Sequence, residues 1–437
     1  MRTFLTVWLG QTVSLVGSGL SSFALGVWVY QRTGSVTQFA LILFFNVLPG
    51  VLLSPVAGAL VDRWDRRRAM LVSDAGAGAS TLAIALLLFA GQLEVWHIYA
   101  AVAASSAFQS LRWPALSASI PLLVPKEALG RANGLVQTGM ALAQTLAPLL
   151  AGMLLDPLGL AGLVLLDVVT FAGAVLTLLV VRIPKPRPLA GDAPQGRLLR
   201  EATYGWTYIA SRPGFMALLV LFAASNFILG LLTVLITPMV LGFTSPEVLG
   251  RVLSATGAGM LAGGLVMSLW GGPRRRMLGI FGPLALQGLA LLIGGLRPSA
   301  PLIAASAFLF LLGFPVLSAC SQALWQSKVA RGVQGRVFAM RQMAALSSIA
   351  LARLAAGPLA DHVFEPLLAP GGPLADSVGR ILGVGPGRGI ALFFLVLGIA
   401  ELLVLAAAWS YPRLRHLEDE VPDADEAPVP GETAAVL

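Results

Sequence analysis

Residues 58–68 read Gly-Ala-Leu-Val-Asp-Arg-Trp-Asp-Arg-Arg-Arg and lie between two long apolar segments. Four arginines and two aspartates fill a stretch that is too short to fold alone. Short loops rich in arginine between membrane spans stay on the cytoplasmic side. The stretch therefore predicts a membrane protein and assigns this loop to the cytoplasm.

The composition separates this chain from soluble proteins. Its 437 residues are 57% hydrophobic and 11% charged, with a mean hydropathy of +0.83. A soluble domain carries about 25% charged residues, and no soluble core could enclose so much apolar sequence. The composition predicts a protein that crosses a membrane several times.

Cysteine, histidine and net charge exclude other classes of protein. The single cysteine, Cys320, excludes a disulfide framework. The histidines, His97, His362 and His416, are too scattered to predict a metal centre. A net charge of +8 fits arginine-rich cytoplasmic loops and does not indicate nucleic-acid binding. We expect no cofactor and no metal.

Twelve apolar segments are long enough for a bilayer helix, which needs about 20 apolar residues. Glycine and proline interrupt many of them, as membrane helices tolerate when they pack against neighbours. The predicted fold is an all-α membrane protein with twelve transmembrane helices, over residues 4–30, 38–60, 69–91, 96–120, 132–155, 159–181, 214–241, 248–270, 278–296, 300–326, 336–362 and 388–411.

Basic residues decide the orientation of these spans. With a cytoplasmic N-terminus, the inner segments hold 21 arginines and lysines, and the outer segments hold 5. An even number of spans places both termini on the same side. We predict a multi-pass protein of the cell (plasma or inner) membrane with both termini cytoplasmic.

The two halves of the chain repeat. Residues 130–156 align with 335–361 at a constant offset of 205, and ten of these 27 positions are identical. The identical pairs include Gly152/Gly357 and Asp156/Asp361. Just upstream, a Trp-Pro at 113–114 resembles a Phe-Pro at 314–315. Helix 4 therefore matches helix 10, and helix 5 matches helix 11.

The repeat defines the predicted domains. We expect two pseudo-symmetric six-helix bundles, residues 1–182 and 214–411, with a central cavity between them. A cytoplasmic loop over 183–213 joins the bundles, and residues 197–211 within it have the pattern of a short amphipathic surface helix. An acidic, proline-containing tail over 412–437 is predicted to be disordered.

The opening loop and two further stretches resemble a known family. Gly-x-x-x-Asp-Arg-x-x-Arg-Arg over 58–67 resembles the signature loop between helices 2 and 3 of the major facilitator superfamily. Residues 62–68, 114–133 and 147–152 resemble the branch of macrolide efflux and enterobactin export proteins. In the last stretch, Ala147, Pro148 and Gly152 resemble the helix 5 motif associated with antiporters, with alanine in place of its first glycine.

The resemblance implies an inner gate in the opening loop. Asp62, at the inner end of helix 2, would face the N-terminus of helix 11, where an anion gains about 0.3–1 kcal/mol. Gly58, Arg63 and Arg67 belong to the same motif, and Arg341 near the inner end of helix 11 is expected to join it. The alternative is a topology anchor without a gating role.

Ionisable side chains at membrane depth are costly and indicate function. Glu401 and Asp167 are candidates for proton coupling, because a carboxyl group in apolar surroundings binds a proton more readily than one in water. Arg112 loosely resembles a family arginine linked to proton transfer; alternatively it pairs with Asp74. Arg353 in helix 11 is a candidate contact for an anionic substrate. The alternative for each of these residues is a structural role, in helix packing or in charge pairing.

Polar residues on the helices that line the cavity in this superfamily are the substrate candidates. The same residue types also hold helices together by hydrogen bonds, so both roles stay open. The candidates are Gln11, Ser14, Ser18, Asn46, Gln137, Gln144 and Asn226. The cavity that they predict is broad and mostly apolar, which suits an amphipathic or hydrophobic substrate.

The sequence thus predicts a secondary active transporter and not an enzyme. We expect a proton-coupled exporter of hydrophobic or amphipathic small molecules, of the drug, macrolide or siderophore type, working by alternating access. An importer, a uniporter or a lysophospholipid flippase on the same scaffold is the alternative. No Gly-x-x-x-x-Gly-Lys-[Ser/Thr] pattern indicates ATP hydrolysis. The expected partners are the substrate, protons and the lipid bilayer, and the chain is expected to be a monomer that binds no nucleic acid.

Overall fold

A computed structural model describes residues 2–125, 128–181, 205–329 and 333–421. The side chains at 2, 54–59, 61–63, 118, 121, 130, 133, 335 and 339 lie outside this description. Over the described ranges the regular structure is helical, with no strand. The predicted all-α class is confirmed.

The helices follow the apolar segments of the sequence. Polar residues begin several of them: Ser35 accepts a hydrogen bond from the Gln38 N–H, and Asp65 accepts two from the first turn of the next helix. The helices are α1 Arg2–Thr33, α2 Val36–Arg63, α3 Arg66–Phe89, α4 Val95–Gln109, α5 Arg112–Leu123, α6 Leu129–Val180, α7 Pro213–Leu241, α8 Pro246–Trp270, α9 Leu278–Gly295, α10 Ala300–Leu312, α11 Phe314–Lys328, α12 Gln334–Leu359, α13 Glu365–Leu367, α14 Gly379–Leu382, α15 Arg388–Ser410, α16 Pro412–Arg415 and α17 Leu417–Glu420.

Ten helical segments of the described residues are long and apolar enough to cross a bilayer. The predicted span 96–120 is not among them because it breaks into α4 and α5, of 15 and 12 residues. Helix α6 has 52 residues, about 78 Å at 1.5 Å per residue, and a bilayer core is about 30 Å thick. These lengths support twelve crossings, which stays a prediction.

Helix α6 is a hairpin of two spans that reverses at Gly159. Gly159 has a left-handed φ of 63°, a conformation that glycine adopts without strain. Helix α1 packs against both arms, which run in opposite directions along it. The contacts are Thr12 with Gly139 and Gly19 with Ala147 before the reversal, then Gly17 with Thr170 and Gly10 with Thr177 after it.

The helices follow the predicted repeat. Helices α6 and α12 begin at Leu129 and Gln334, which are separated by the same 205 residues as the sequence repeat. Each follows a broken span whose second part, α5 or α11, carries a proline in its first turn, at Pro114 or Pro315. A first-turn proline costs no helical hydrogen bond, so both spans restart there.

Among the described side chains, the apolar clusters join the two halves at one end of the bundle and not at the other. We call the end where α1 begins the inner end and the opposite end the outer end. The outer apolar cluster mixes both halves and includes Val36, Phe39 and Ala40 with Leu231, Leu235, Ala352 and Ala356. At the inner end, one cluster around Phe4 and Met70 belongs to the N-half, and another around Phe215 and Trp325 belongs to the C-half.

The outer faces of the helices are apolar. Leu86, Val169, Leu265 and Leu403 are between 62% and 65% exposed. Rows of exposed leucine and valine on long helices fit contact with lipid chains, where no polar group is needed.

The start of the tail differs from the prediction. Residues 412–420 form α16 and α17 instead of a disordered segment, because Leu414 and Leu417 are both buried at 1% exposure. Leu417 contacts Gly214 at the start of α7, and the Glu418 carboxylate accepts a hydrogen bond from the Arg276 N–H. Residues 422–437 of the predicted tail, and 183–204 of the predicted loop, lie outside the described ranges.

Candidate functional site: a cleft between the halves

Three adjoining cavities form a cleft between the two halves. A C-half cavity of about 650 Å³ shares Leu229 and Phe310 with a central cavity of about 550 Å³. The central cavity shares Leu15 and Met140 with an N-half cavity of about 200 Å³. The cleft extends toward the inner end, where Phe4 lines its N-half wall.

The central cavity is lined by helices of both halves and is mostly apolar. Leucine, isoleucine, methionine and phenylalanine dominate its walls, and Gln144, Thr233 and Thr256 are the polar side chains among its described lining residues. Ala147 and Pro148 of the antiporter-like motif line it as well. Such a wall holds an apolar molecule with few directional contacts.

The outer end of the cleft is closed by Asp361. Its carboxylate accepts hydrogen bonds from the Ser35 hydroxyl at 2.8 Å, the Val36 N–H at 2.9 Å, the Thr37 N–H at 2.8 Å and the Thr37 hydroxyl at 2.7 Å. These donors form the N-terminus of α2, so a C-half anion caps a helix of the N-half.

Close backbone contacts reinforce this closure. A methyl group at Gly357 would lie 2.3 Å from the Cα atom of Thr37. A methyl group at Gly152 would lie 3.0 Å from the carbonyl oxygen of Pro246 at the start of α8. Gly152 and Gly357 are repeat partners, so the same contact occurs twice between opposite halves.

Two further hydrogen bonds join the halves near the middle of the bundle. The Ser254 hydroxyl of α8 donates to the Thr145 carbonyl of α6 at 2.7 Å. The Arg353 guanidinium of α12 donates to the Leu43 carbonyl of α2 at 2.9 Å. Arg353 therefore bridges the halves in this conformation.

A buried polar cluster lies inside the N-half. The Gln11 amide donates to Asp74 Oδ2 at 2.6 Å, and Arg112 Nε lies 4.0 Å from Asp74 Oδ1. Arg112 also donates to the Gln11 carbonyl at 3.0 Å. Asp74 is 1% exposed and Arg112 is 8% exposed. The charge of each is balanced by the other, as buried ions require.

Asp167 forms a second buried site in the same half. Its carboxylate accepts hydrogen bonds from the Ser18 hydroxyl at 3.2 Å and the Thr81 hydroxyl at 3.3 Å. It therefore joins α1, α3 and the second arm of α6. Ser14 is also fully buried on α1.

Glu401 is the buried carboxyl of the C-half. It is 1% exposed, and its Oε1 accepts a hydrogen bond from the Ser225 hydroxyl at 3.1 Å. Oε2 has no hydrogen-bond partner among the described residues. Ser225 lines the C-half cavity. Glu401 thus faces neither lipid nor the open cavity; it lies one side chain behind the cavity wall.

Comparison with known proteins identifies the family of this chain. Residues 7–353 match the Major Facilitator Superfamily. The chain belongs to the Major Facilitator Superfamily.

Relatives of this superfamily member include drug exporters. The chain is 28% identical over 344 residues to macrolide efflux protein A of Streptococcus pyogenes, covering 77% of this chain and 84% of that protein. It is 25% identical over 417 residues to the multidrug efflux pump Tap of Mycolicibacterium fortuitum, covering 92% and 94%. The predicted resemblance to a drug-export branch is confirmed, and these relatives are transporters rather than enzymes.

Solved transporters share the fold. The nucleoside transporter NupG superposes with a TM-score of 0.72 over 94% of this chain and all (100%) of that one, at 9% identity. A bacterial homologue of the human lysosomal transporter Spinster, inward-facing and unoccupied, gives a TM-score of 0.66 over 93% and 95%, at 15% identity. At these identities the likeness concerns the fold alone.

The signature loop of the superfamily is described in part. The Arg67 guanidinium donates to the Leu178 carbonyl at 2.6 Å and the Leu179 carbonyl at 2.5 Å, where it caps the C-terminus of α6. The gate candidates Gly58, Asp62 and Arg63 fall among the side chains outside the description. Arg341 contacts residues of α11 in its own half.

The remaining predicted cavity residues fall in different places. Asn226 lines the C-half cavity, where its amide donates to the Phe222 carbonyl at 2.7 Å. Gln11 lines the N-half cavity. Asn46 and Gln137 are exposed, and neither is among the residues that line these three cavities.

Two site residues were not singled out from the sequence. Asp361 was noted only as an identical position of the repeat, yet it holds the outer end closed. Gln287 of α9 is 1% exposed and lines the C-half cavity. Neither position belongs to a motif, and the helix pairing that gives each its role is not visible in the local sequence. Among the described residues no three His, Cys, Asp or Glu side chains are grouped to hold a metal ion.

Proposed function

We propose that this protein is a proton-driven exporter of hydrophobic or amphipathic small molecules that works by alternating access. The observation that carries the proposal is a cleft between the two halves that is closed at the outer end by Asp361 and extends toward the inner end. Alternation between two such states moves a bound molecule across the membrane.

The orientation follows from charge. The excess of arginine and lysine on one side supports a cytoplasmic N-terminus in a cell inner membrane. In that orientation the described conformation is inward-facing, ready to take a molecule from the cytoplasm or the inner leaflet. We propose a monomer, because one chain supplies both halves of the cleft.

The inner gate is proposed to form in the opposite state. Asp62 at the inner end of α2 would then meet the N-terminus of α12, as Asp361 meets the N-terminus of α2 at the outer end; Asp361 lies in the π-helical turn Ala360–Phe364 that follows α12. The two contacts would be related by the pseudo-symmetry of the halves. Gly58, Arg63 and Arg67 are the other motif residues assigned to this gate, whereas Arg341, also expected there from the sequence, contacts α11 in its own half.

Proton coupling is assigned to buried carboxyl groups. Glu401 is the stronger candidate because the Ser225 hydroxyl links it to the cavity wall and its Oε2 has no described partner. Asp167 accepts two described hydrogen bonds and lies away from the central cavity, and Asp74 is paired with Arg112. These contacts favour Glu401 as the proton-binding group and the others as parts of the N-half scaffold.

Inverted membrane vesicles test the proposal. An inside-acid gradient should drive uptake of one or more compounds from a panel of dyes and macrolides, and a protonophore should abolish that uptake. Asp62→Asn should lose it, whereas Asp376→Asn, at an exposed aspartate near the outer end, should not. Uptake that persists without a gradient would indicate a uniporter, and uptake only by right-side-out vesicles would indicate an importer; either result contradicts the proposal.

A further inference from the structure

The C-half cavity contains a cation, Arg341, that has no carboxylate partner among the described residues. Its guanidinium donates to Gln322 Oε1 and to Ser321 Oγ, each at 3.1 Å. Both acceptors are neutral. The guanidinium also lies 4.8 Å from the ring centre of Trp325, which holds it in place without neutralising it. Since arginine has five N–H donors, donors remain for a ligand.

Neither the C-half cavity nor the central cavity has an acidic residue among its described lining residues. Arg341 is half-buried, and the polar side chains that share its cavity wall, such as Asn226 and Gln342, are neutral. A bound anionic group would therefore supply the counter-charge that this arginine lacks. The arginine is also specific to one half. Its partner in the sequence repeat is Val136, which lines the N-half cavity. A scaffold residue common to both halves would not show this difference.

A second polar group in the same cavity is unsatisfied. The Gln287 amide donates to the Phe310 carbonyl at 3.2 Å, and its Oε1 has no hydrogen-bond partner among the described residues. Gln287 is 1% exposed and lines the same cavity as Arg341. A buried acceptor normally has a hydrogen-bond donor, so a hydroxyl or N–H of a bound molecule would donate to Gln287 Oε1.

We propose that Arg341, held by Gln322 and Ser321, is an anion-binding subsite, and that the transported molecules include amphipathic organic anions. The carboxylate, sulfonate or phosphate group of such a molecule would bind the guanidinium, and its apolar body would lie in the central cavity. Arginine suits this role because its planar donors bind two oxygens of an anion together. The statement that these anions are transported rests on the export function proposed above, whereas the binding of an anion at Arg341 does not.

A matched pair of dyes tests the subsite by binding alone. The full chain in lipid nanodiscs is titrated with 8-anilinonaphthalene-1-sulfonate and with uncharged N-phenyl-1-naphthylamine, with empty discs subtracted. Arg341→Gln should weaken sulfonate binding about tenfold or more and leave binding of the uncharged amine almost unchanged. Arg341→Lys should give an intermediate loss, since it keeps the charge and loses the planar donors. Arg251→Gln, at an exposed arginine paired with Glu247, should change neither affinity.

Two results would overturn the assignment. One is that Arg341→Gln does not weaken sulfonate binding, or that the unaltered chain binds no sulfonate at all. The other is an equal loss of both dyes, which would make Arg341 a structural residue. Failure of the export function would appear separately, as the absence of gradient-driven uptake by inverted vesicles, because the binding comparison needs no gradient.

Discussion

Asp361 of the C-half binds Thr37 of the N-half twice, through the Thr37 N–H at 2.8 Å and the Thr37 hydroxyl at 2.7 Å. The same carboxylate accepts hydrogen bonds from Ser35 and Val36. One side chain therefore caps the first turn of α2 and holds the outer ends of the two halves together. Because every donor belongs to the other half, these bonds must break before the outer end can open.

We expect Asp361→Asn to raise the ratio of outward-open to inward-open protein about tenfold or more. The amide keeps one acceptor oxygen and turns an NH2 group toward backbone donors, and each lost hydrogen bond to a charged group is worth about 1.5–3 kcal/mol. Spin labels at Gln31→Cys and Ser377→Cys, with the buried Cys320 replaced, measure the outer distance. Asp376→Asn is the control, and an unchanged distance distribution in Asp361→Asn would contradict the assignment.

We expect Gly152→Val to prevent full closure of the outer end. A methyl group there already lies 3.0 Å from the Pro246 carbonyl oxygen and 3.1 Å from the Gly250 Cα atom, so the larger side chain must separate α6 from α8. The outer label distance should lengthen, and gradient-driven uptake should fall. Gly173→Val on the second arm of α6 is a matched control, because no heavy atom lies within 4 Å of a methyl group at that position. Equal behaviour of the two variants would show that the contact does not matter.

The sequence predicted the scaffold more completely than the site. Apolar length and arginine-rich loops predict the spans, and the repeat at 130 and 335 predicts where α6 and α12 begin. The break of the fourth span at 110–111 was missed, because apolar composition does not distinguish one long helix from two short ones. Burial of Leu414 was missed as well, since an acidic, proline-containing segment resembles a disordered tail until its packing against α7 is known.

The sequence identifies ionisable and polar residues at membrane depth, but it does not show which residues they contact. Asp74 and Arg112 were correctly considered as partners because their depths in α3 and α5 match. Glu401 has apolar neighbours in sequence at positions 397 and 404, which favoured lipid or packing. Its partner Ser225 is 176 residues away, and only the packing of α15 on α7 brings them together. Asp361 went unrecognised for the same reason.

Removing one member of the buried Asp74–Arg112 pair should destabilise the protein more than removing both. Arg112→Gln leaves Asp74 buried without its counter-charge, a change that costs about 3–5 kcal/mol, whereas neutralising both partners is often tolerated. In detergent, the melting temperature of Arg112→Gln should therefore be lower than that of the Asp74→Asn/Arg112→Gln double variant. The exposed Glu247–Arg251 pair is the control, where Arg251→Gln should cost at most about 1 kcal/mol. A double variant less stable than the single one would exclude this account.

Glu401→Gln separates proton coupling from substrate movement. Glutamine has the same shape, and its carbonyl oxygen can still accept the Ser225 hydrogen bond, but it cannot bind and release a proton. Uptake driven by a pH gradient should be lost, whereas exchange of labelled for unlabelled substrate without a gradient should continue, because alternation itself needs no proton. Asp167→Asn is the informative comparison, since Asp167 is also a deeply buried carboxyl group, at 2% exposure. If Asp167→Asn abolishes gradient-driven uptake and Glu401→Gln does not, the coupling group lies in the N-half and the role assigned to Glu401 is wrong.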